Sequence, residues 1–218
     1  MREAFHARLD ALADHTAAMC ESAGALLEHA TSSVCDTDRA RAEFVIAKTP
    51  DMDRQCGRAE DMVVELLALQ APVASDLRRV VSALWIVGDV DRMRVLATHV
   101  AQATLRRYPE AVLPADISPV FARMGKIGVE LAGQAAIALR ARDVALAEAV
   151  TAKDPEVARL YRELLTTAVN ASWPHGVAAA IDTCLLGRFY DRFADHAVLI
   201  ADRVVYQVTG HRSVAETD

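Results

Sequence analysis

A chain of 218 residues suffices for one domain or for two half-size units. Apolar residues make up 53% of it and charged residues 25%, a globular composition that excludes a disordered or low-complexity segment. The net charge is −6, with 24 basic residues scattered among 30 acidic ones, and this argues against nucleic acid as a partner, because phosphate backbones draw on clustered Lys and Arg.

The first helical pattern places Phe5, Leu9, Leu12, Thr16, Met19, Ala23, Leu26 and Ala30 on one stripe by alternating steps of four and three. Thr31-Ser32-Ser33 and Asp36 then read as a turn, and a second pattern runs from about Thr37 to Leu69. Pro50 interrupts it, so a kink or break is expected there. Gln70-Ala71-Pro72 opens a third helix with proline at its first position, continuing to about Arg107. Tyr108 to Pro119 holds Pro109, Pro114 and Pro119 and marks an internal boundary. A fourth helix follows from Pro119 to Ala141 and a fifth from Asp143 to Asn170, the latter interrupted by Pro155. Trp173-Pro174 opens a sixth, which Gly210 ends, and residues 211–218 read as a frayed tail. No segment alternates with a period of two, and aromatics are only 5%, so the class is all-α.

Three helices, a proline-rich linker and three more helices suggest duplication. An offset of 100 pairs the third helix with the sixth: Ile86 with Leu186, Val90 with Tyr190, Met93 with Phe193, Ala97 with Ala197, Val100 with Ile200. Asp91-Arg92 repeats as Asp191-Arg192 at the same offset. The expected organisation is a first repeat over 1–107, a linker over 108–119 and a second repeat over 120–210, the copies stacked end to end.

The start of the chain has no uninterrupted apolar stretch of the signal-peptide kind, and no segment approaches the ~18 apolar residues of a membrane span, so a cytoplasmic protein is expected. The four cysteines form neither a metal clip nor a disulfide framework by spacing and read as reduced and structural.

Asp191 and Asp195, four apart, put two carboxylates on one helix face, and their repulsion of roughly 0.2–0.5 kcal/mol must be offset by Arg188 and Arg192 or by a cation. In the first half Asp91 remains, but Val95 stands where the second acid would be, and Arg94 is placed to pair with Asp91 and put a fixed charge where an ion would go. His196 points about 100° away from Asp195 and reads as a packing residue. A di-iron centre of the ferritin type needs two ExxH pairs, and only Glu3 and His6 have that spacing. No phosphate loop, nucleophile elbow or HExxH helix occurs.

The stretches Gln70 to Arg78, Asp91-Arg92-Met93 and Leu185 to Ala197 together resemble the PhoU family, the regulators associated with bacterial high-affinity phosphate uptake. Asp191-Arg192-Phe193-Ala194-Asp195-His196-Ala197 is similar to the family's block Glu/Asp-Arg-x-Gly/Ala-Asp-x-Ala, and the ending Tyr206 to Gly210 resembles actinobacterial members. The resemblance implies two tandem three-helix bundles, six long helices in all. It implies metal ions of the iron, zinc, manganese or magnesium kind on acidic blocks, and action by contact without catalysis. The implied partners are the ATPase subunit of the phosphate transporter and the phosphate-sensing histidine kinase, both held down when phosphate is plentiful. The membrane is reached only through these partners, and the expected assembly is a homodimer.

Carried over by position, Asp191 and Asp195 become the metal-ligand candidates of the second repeat. Asp91 matches the first acid of the first block. An earlier acid-xxx-acid pattern keeps one acid in each half, Asp53 beside Thr49 and Asp154 beside Ala158, which adds Asp154 to the candidates. The alternative reading is a helical metal-binding protein with hydrolytic or redox activity, and it needs more ligands than Asp191, Asp195 and Asp154 provide. A helical transcriptional regulator is disfavoured by the acidic balance.

Overall fold

The computed structural model describes residues 2–69, 71–153 and 155–211, and among these the regular elements are all helices. They are α1 (Arg2–Asp36), α2 (Arg39–Leu69), α3 (Ala74–Arg107), α4 (Ser118–Ala141), α5 (Val144–Lys153), α6 (Pro155–Ala168) and α7 (Gly176–Thr209). Six helical arms were expected, and the fifth is divided into α5 and α6, with Pro155 at the start of the latter. Asp154 and the tail over 212–218 lie outside the described residues.

Several boundaries depart from the sequence expectation for identifiable reasons. Thr31-Ser32-Ser33 is not a turn: the Thr31 hydroxyl donates to the Leu27 carbonyl at 2.7 Å and the Ser33 hydroxyl to the Ala30 carbonyl at 2.8 Å, so α1 carries them to Asp36. The turn falls at Thr37, where φ is +55°, and Asp38 Oδ1 accepts the Arg41 N–H at 3.1 Å to cap α2. Helix α2 runs through Pro50 without a break, and Val45, Met52, Cys56 and Ala59 are buried on either side of it. Burial there offsets a proline cost of about 3 kcal/mol. Pro72 does not open α3, because Ala74 takes a left-handed φ of +49° and the helix begins with it. Helix α7 begins at Gly176 and not at Trp173, whose indole N–H donates to the Gly176 carbonyl at 2.8 Å. Gly210, at φ +78°, closes α7 as expected.

Helices α1–α3 form one three-helix bundle and α4–α7 the other. The copies do not stack end to end. The bundles lie side by side, α1 against α4 and α3 against α7. Both cross-bundle pairs are antiparallel: Gly24 meets Ala132 and Thr31 meets Gly125 in one, while Trp85 meets Tyr206 and Arg107 meets Asp182 in the other. Every seam residue of the offset-of-100 pairs, from Ile86 with Leu186 to Val100 with Ile200, is at most 1% exposed, and the buried apolar side chains of both bundles join in one cluster. Even the connecting segment is packed, with Val112, Leu113 and Ile117 buried.

The closest approach of the bundles depends on glycine. A Cβ at Gly128 would come within 2.6 Å of Leu27 Cδ2, and one at Gly125 would collide with the Thr31 side chain. Thr31 is committed, since its Oγ1 also accepts the buried Tyr190 hydroxyl at 3.0 Å, and Tyr190 packs edge to face on Phe121 with centroids 5.5 Å apart.

In an unhindered helix, Gly→Ala gains about 0.8–1.0 kcal/mol of propensity. Gly125→Ala is expected to reverse that sign through overpacking worth about 1–3 kcal/mol and to lower Tm by roughly 2–8 °C. Gly133→Ala, where nothing lies within 4 Å of the added methyl, is expected to raise Tm. Thermal unfolding by circular dichroism of the two variants checks the opposed signs.

Candidate functional site

Of the acidic residues singled out from sequence, Asp91 stands on α3 and Asp191 and Asp195 on α7, each beside the seam that fills the core. Asp191 lies between buried Tyr190 and exposed Arg192, with its side chain only 12% exposed, whereas Asp195 is 37% exposed. Each is held by an arginine of the preceding turn: Arg188 Nη1 donates to Asp191 Oδ2 at 2.7 Å and Arg192 Nη1 to Asp195 Oδ2 at 3.0 Å. Burial first, and the neighbouring Asp195 charge second, push the Asp191 carboxyl above its ordinary value, against the pull of Arg188 and Arg192.

The first repeat is built differently. Arg94, 12% exposed, reaches Asp91 Oδ1 through Nε at 2.9 Å and Nη2 at 2.7 Å, and the same Nη2 lies 3.2 Å from Asp53 Oδ1 on α2. The expected Arg94–Asp91 pair is therefore present, and Asp53 joins it. Nearby, burial first and the Asp91 charge second push the Cys56 thiol up to about 11. Where Arg94 stands in the first repeat, Ala194 stands in the second, fully buried.

A few further polar pairs join the bundles. His196 Nδ1 pairs with Asp89 Oδ1 at 3.0 Å across α3 and α7, so it is an interface residue and does not turn to Asp195. Arg107 Nε donates to Asp182 Oδ2 at 2.9 Å across the same helices. Sequence reasoning missed both pairs and the Asp53 contact, because nothing in helical spacing links residues on different helices. All four cysteines are free, with Cys20 and Cys56 buried.

The model of the PhoU domain family matches the chain twice, over residues 16–104 and 121–204. The chain belongs to the PhoU family. It is 44% identical over 210 residues to the phosphate-specific transport system accessory protein PhoU homolog 1 of Mycobacterium leprae, covering 96% of this chain and 95% of that one. The PhoU homolog 2 of Mycobacterium tuberculosis is also 44% identical, with 96% and 99% covered. The crystal structure of PhoU from Pseudomonas aeruginosa superposes with a TM-score of 0.83 at 25% identity, covering 95% of this chain and all of that one. The PhoU regulatory protein of Streptococcus pneumoniae shares the fold, with a TM-score of 0.86.

The acids of the first repeat of this PhoU protein do not fit a metal ion, since a guanidinium already sits between Asp53 of α2 and Asp91 of α3. The second offers Asp191 and Asp195, and among the described residues no three His, Cys, Asp or Glu side chains stand together as a ligand set. A hard cation that keeps most of its water shell needs only one or two carboxylates, and the pair suits a cation of that kind better than a protein-only cage.

The raised Asp191 value sets a pH dependence. A carboxyl favoured in its neutral form by folding contributes stability below the unfolded value, and that contribution is lost as pH rises through the folded value. Asp191→Asn, which fixes the neutral form, is expected to raise Tm at pH 7 and to lose this advantage below the ordinary Asp value of about 3.9. A lower Tm for the variant at pH 7 would show the Arg188 ion pair outweighing burial.

Proposed function

We propose that the chain is a cytoplasmic negative regulator of phosphate uptake and of phosphate-starvation signalling. It acts by contact with the ATPase subunit of the phosphate transporter and with the phosphate-sensing histidine kinase, and it catalyses no reaction. The observation that carries this reading is 44% identity, over 96% of the chain, to a relative named as a phosphate-specific transport system accessory protein. No helix among the described residues is long and apolar enough to cross a membrane, and membrane contact in this proposal passes through the two partners.

A docking surface of this kind buries apolar area at its centre and keeps charge at its rim. The first half of α7 offers such an area. Val177, Ile181 and Leu185 follow one another at four-residue steps and are each at least half exposed, and Val169 at the preceding turn is exposed beside them. The proposal includes assembly as a homodimer and, on the second repeat, a mostly hydrated divalent cation held by Asp191 and Asp195. Bound there, the cation would relieve the repulsion of the two carboxylates; iron, zinc, manganese and magnesium are the candidates.

Deletion of the gene, read by a phosphate-starvation reporter, is expected to derepress the reporter in high phosphate, and a reporter that stays repressed contradicts the proposal. Ile181→Glu is expected to leave the helical spectrum unchanged while lowering capture of the transporter ATPase or the kinase about tenfold or more in a pull-down, the loss typical of an anchor residue. Undiminished capture would move the docking face elsewhere.

A further inference from the structure

We propose that Arg94 is the resident cation of the first repeat: its guanidinium takes, between Asp53 of α2 and Asp91 of α3, the place a metal ion would take in an acidic block, and it makes this half of the protein metal-independent. The proposal rests on family membership only for the idea that a cation belongs there. The replacement itself is read from geometry.

Three features carry it. First, the guanidinium touches carboxylates from two different helices, 2.7 Å from Asp91 and 3.2 Å from Asp53, so it ties α2 to α3 as a bridging ion would. An arginine that merely decorated α3 would satisfy its own (i, i−3) acid and stop there. Second, the side chain is only 12% exposed while Asp53 is 56% and Asp91 41% exposed, so the charge lies inward and the acids close over it from the solvent side. A guanidinium is a fixed cation in proteins, and this one is held in place by its own backbone. Third, the two repeats differ at this spot in a correlated way. Where Arg94 and Val95 stand in the first, Ala194 and Asp195 stand in the second. The copy that carries the positive side chain lacks the second acid, and the copy with the small residue has it.

A metal ion leaves when its free concentration falls. A guanidinium does not, so the α2–α3 contact is indifferent to metal supply, and any response of this protein to cations is confined to its second repeat.

The test uses the full chain with the second-repeat acids neutralised, Asp191→Asn together with Asp195→Asn. Equilibrium dialysis against MnCl2 is expected to show no retained Mn²⁺, and Tm is expected to be the same in EDTA and in millimolar MnCl2. Adding Arg94→Ala is expected to lower Tm. Mn²⁺ is then expected to restore roughly 3–6 °C of the loss at about ten times its dissociation constant, an effect abolished by Asp53→Asn with Asp91→Asn. Stoichiometric Mn²⁺ held by the Arg94-containing protein and released by Asp53→Asn with Asp91→Asn would overturn the proposal. So would an Arg94→Ala protein whose Tm ignores Mn²⁺, which would reduce the arrangement to an ordinary ion pair. The dialysis decides the question by itself if Arg94→Ala fails to fold.

Discussion

The two bundles share a core only because α4 presents glycine where α1 comes closest. Gly125 faces Thr31 and Gly128 faces Leu27 and Phe193, with no room at either place for a methyl group. Close approach of the backbones lets Thr31 of α1 accept the Tyr190 hydroxyl of α7, and it seals Phe121, Tyr190 and Phe193 away from water. A buried tyrosine hydroxyl without a partner would cost about 1–3 kcal/mol, so the spacing of α1 and α4 and the polar satisfaction of α7 stand or fall together.

Everything presented to the outside is positioned by that shared core. On α3, Val90, Met93 and Ala97 face inward and fix the rotation of the helix, which in turn places Asp91 and Arg94 toward α2. On α7, Tyr190, Phe193 and Ala197 do the same for Asp191 and Asp195. The pairs Asp89–His196 and Arg107–Asp182 lock α3 to α7 at two levels. The proposed docking to partner proteins needs a fixed surface, and the rigidity for it comes from burial between the repeats as much as from within each.

Much of the helical content was legible in the sequence because a 3.6-residue apolar period is a strong local signal, and the stripe from Phe5 to Ala30 is buried throughout. The errors have physical causes. Thr31 and Ser33 read as a turn because hydroxyls compete with the backbone, yet here they bond back into their own helix. Pro50 and Pro155 carry the same local message, but only the second coincides with a helix boundary, since packing on α1 holds α2 together across Pro50. Periodicity says that a face is apolar and not what covers it, which is why duplication was readable and the side-by-side packing of the copies was not. At the acidic sites, the Arg94–Asp91 pair followed from spacing on one helix, whereas the contribution of Asp53 depends on how two helices are set against each other.

If one core unites the repeats, they cannot unfold separately. Native-state hydrogen exchange over a denaturant series measures this directly, comparing the slowest amides of α1 and α3 with those of α4 and α7. The account requires both sets to share one opening free energy and one denaturant dependence. Two distinct sets, with one bundle exchanging through its own partial unfolding while the other stays protected, would contradict it.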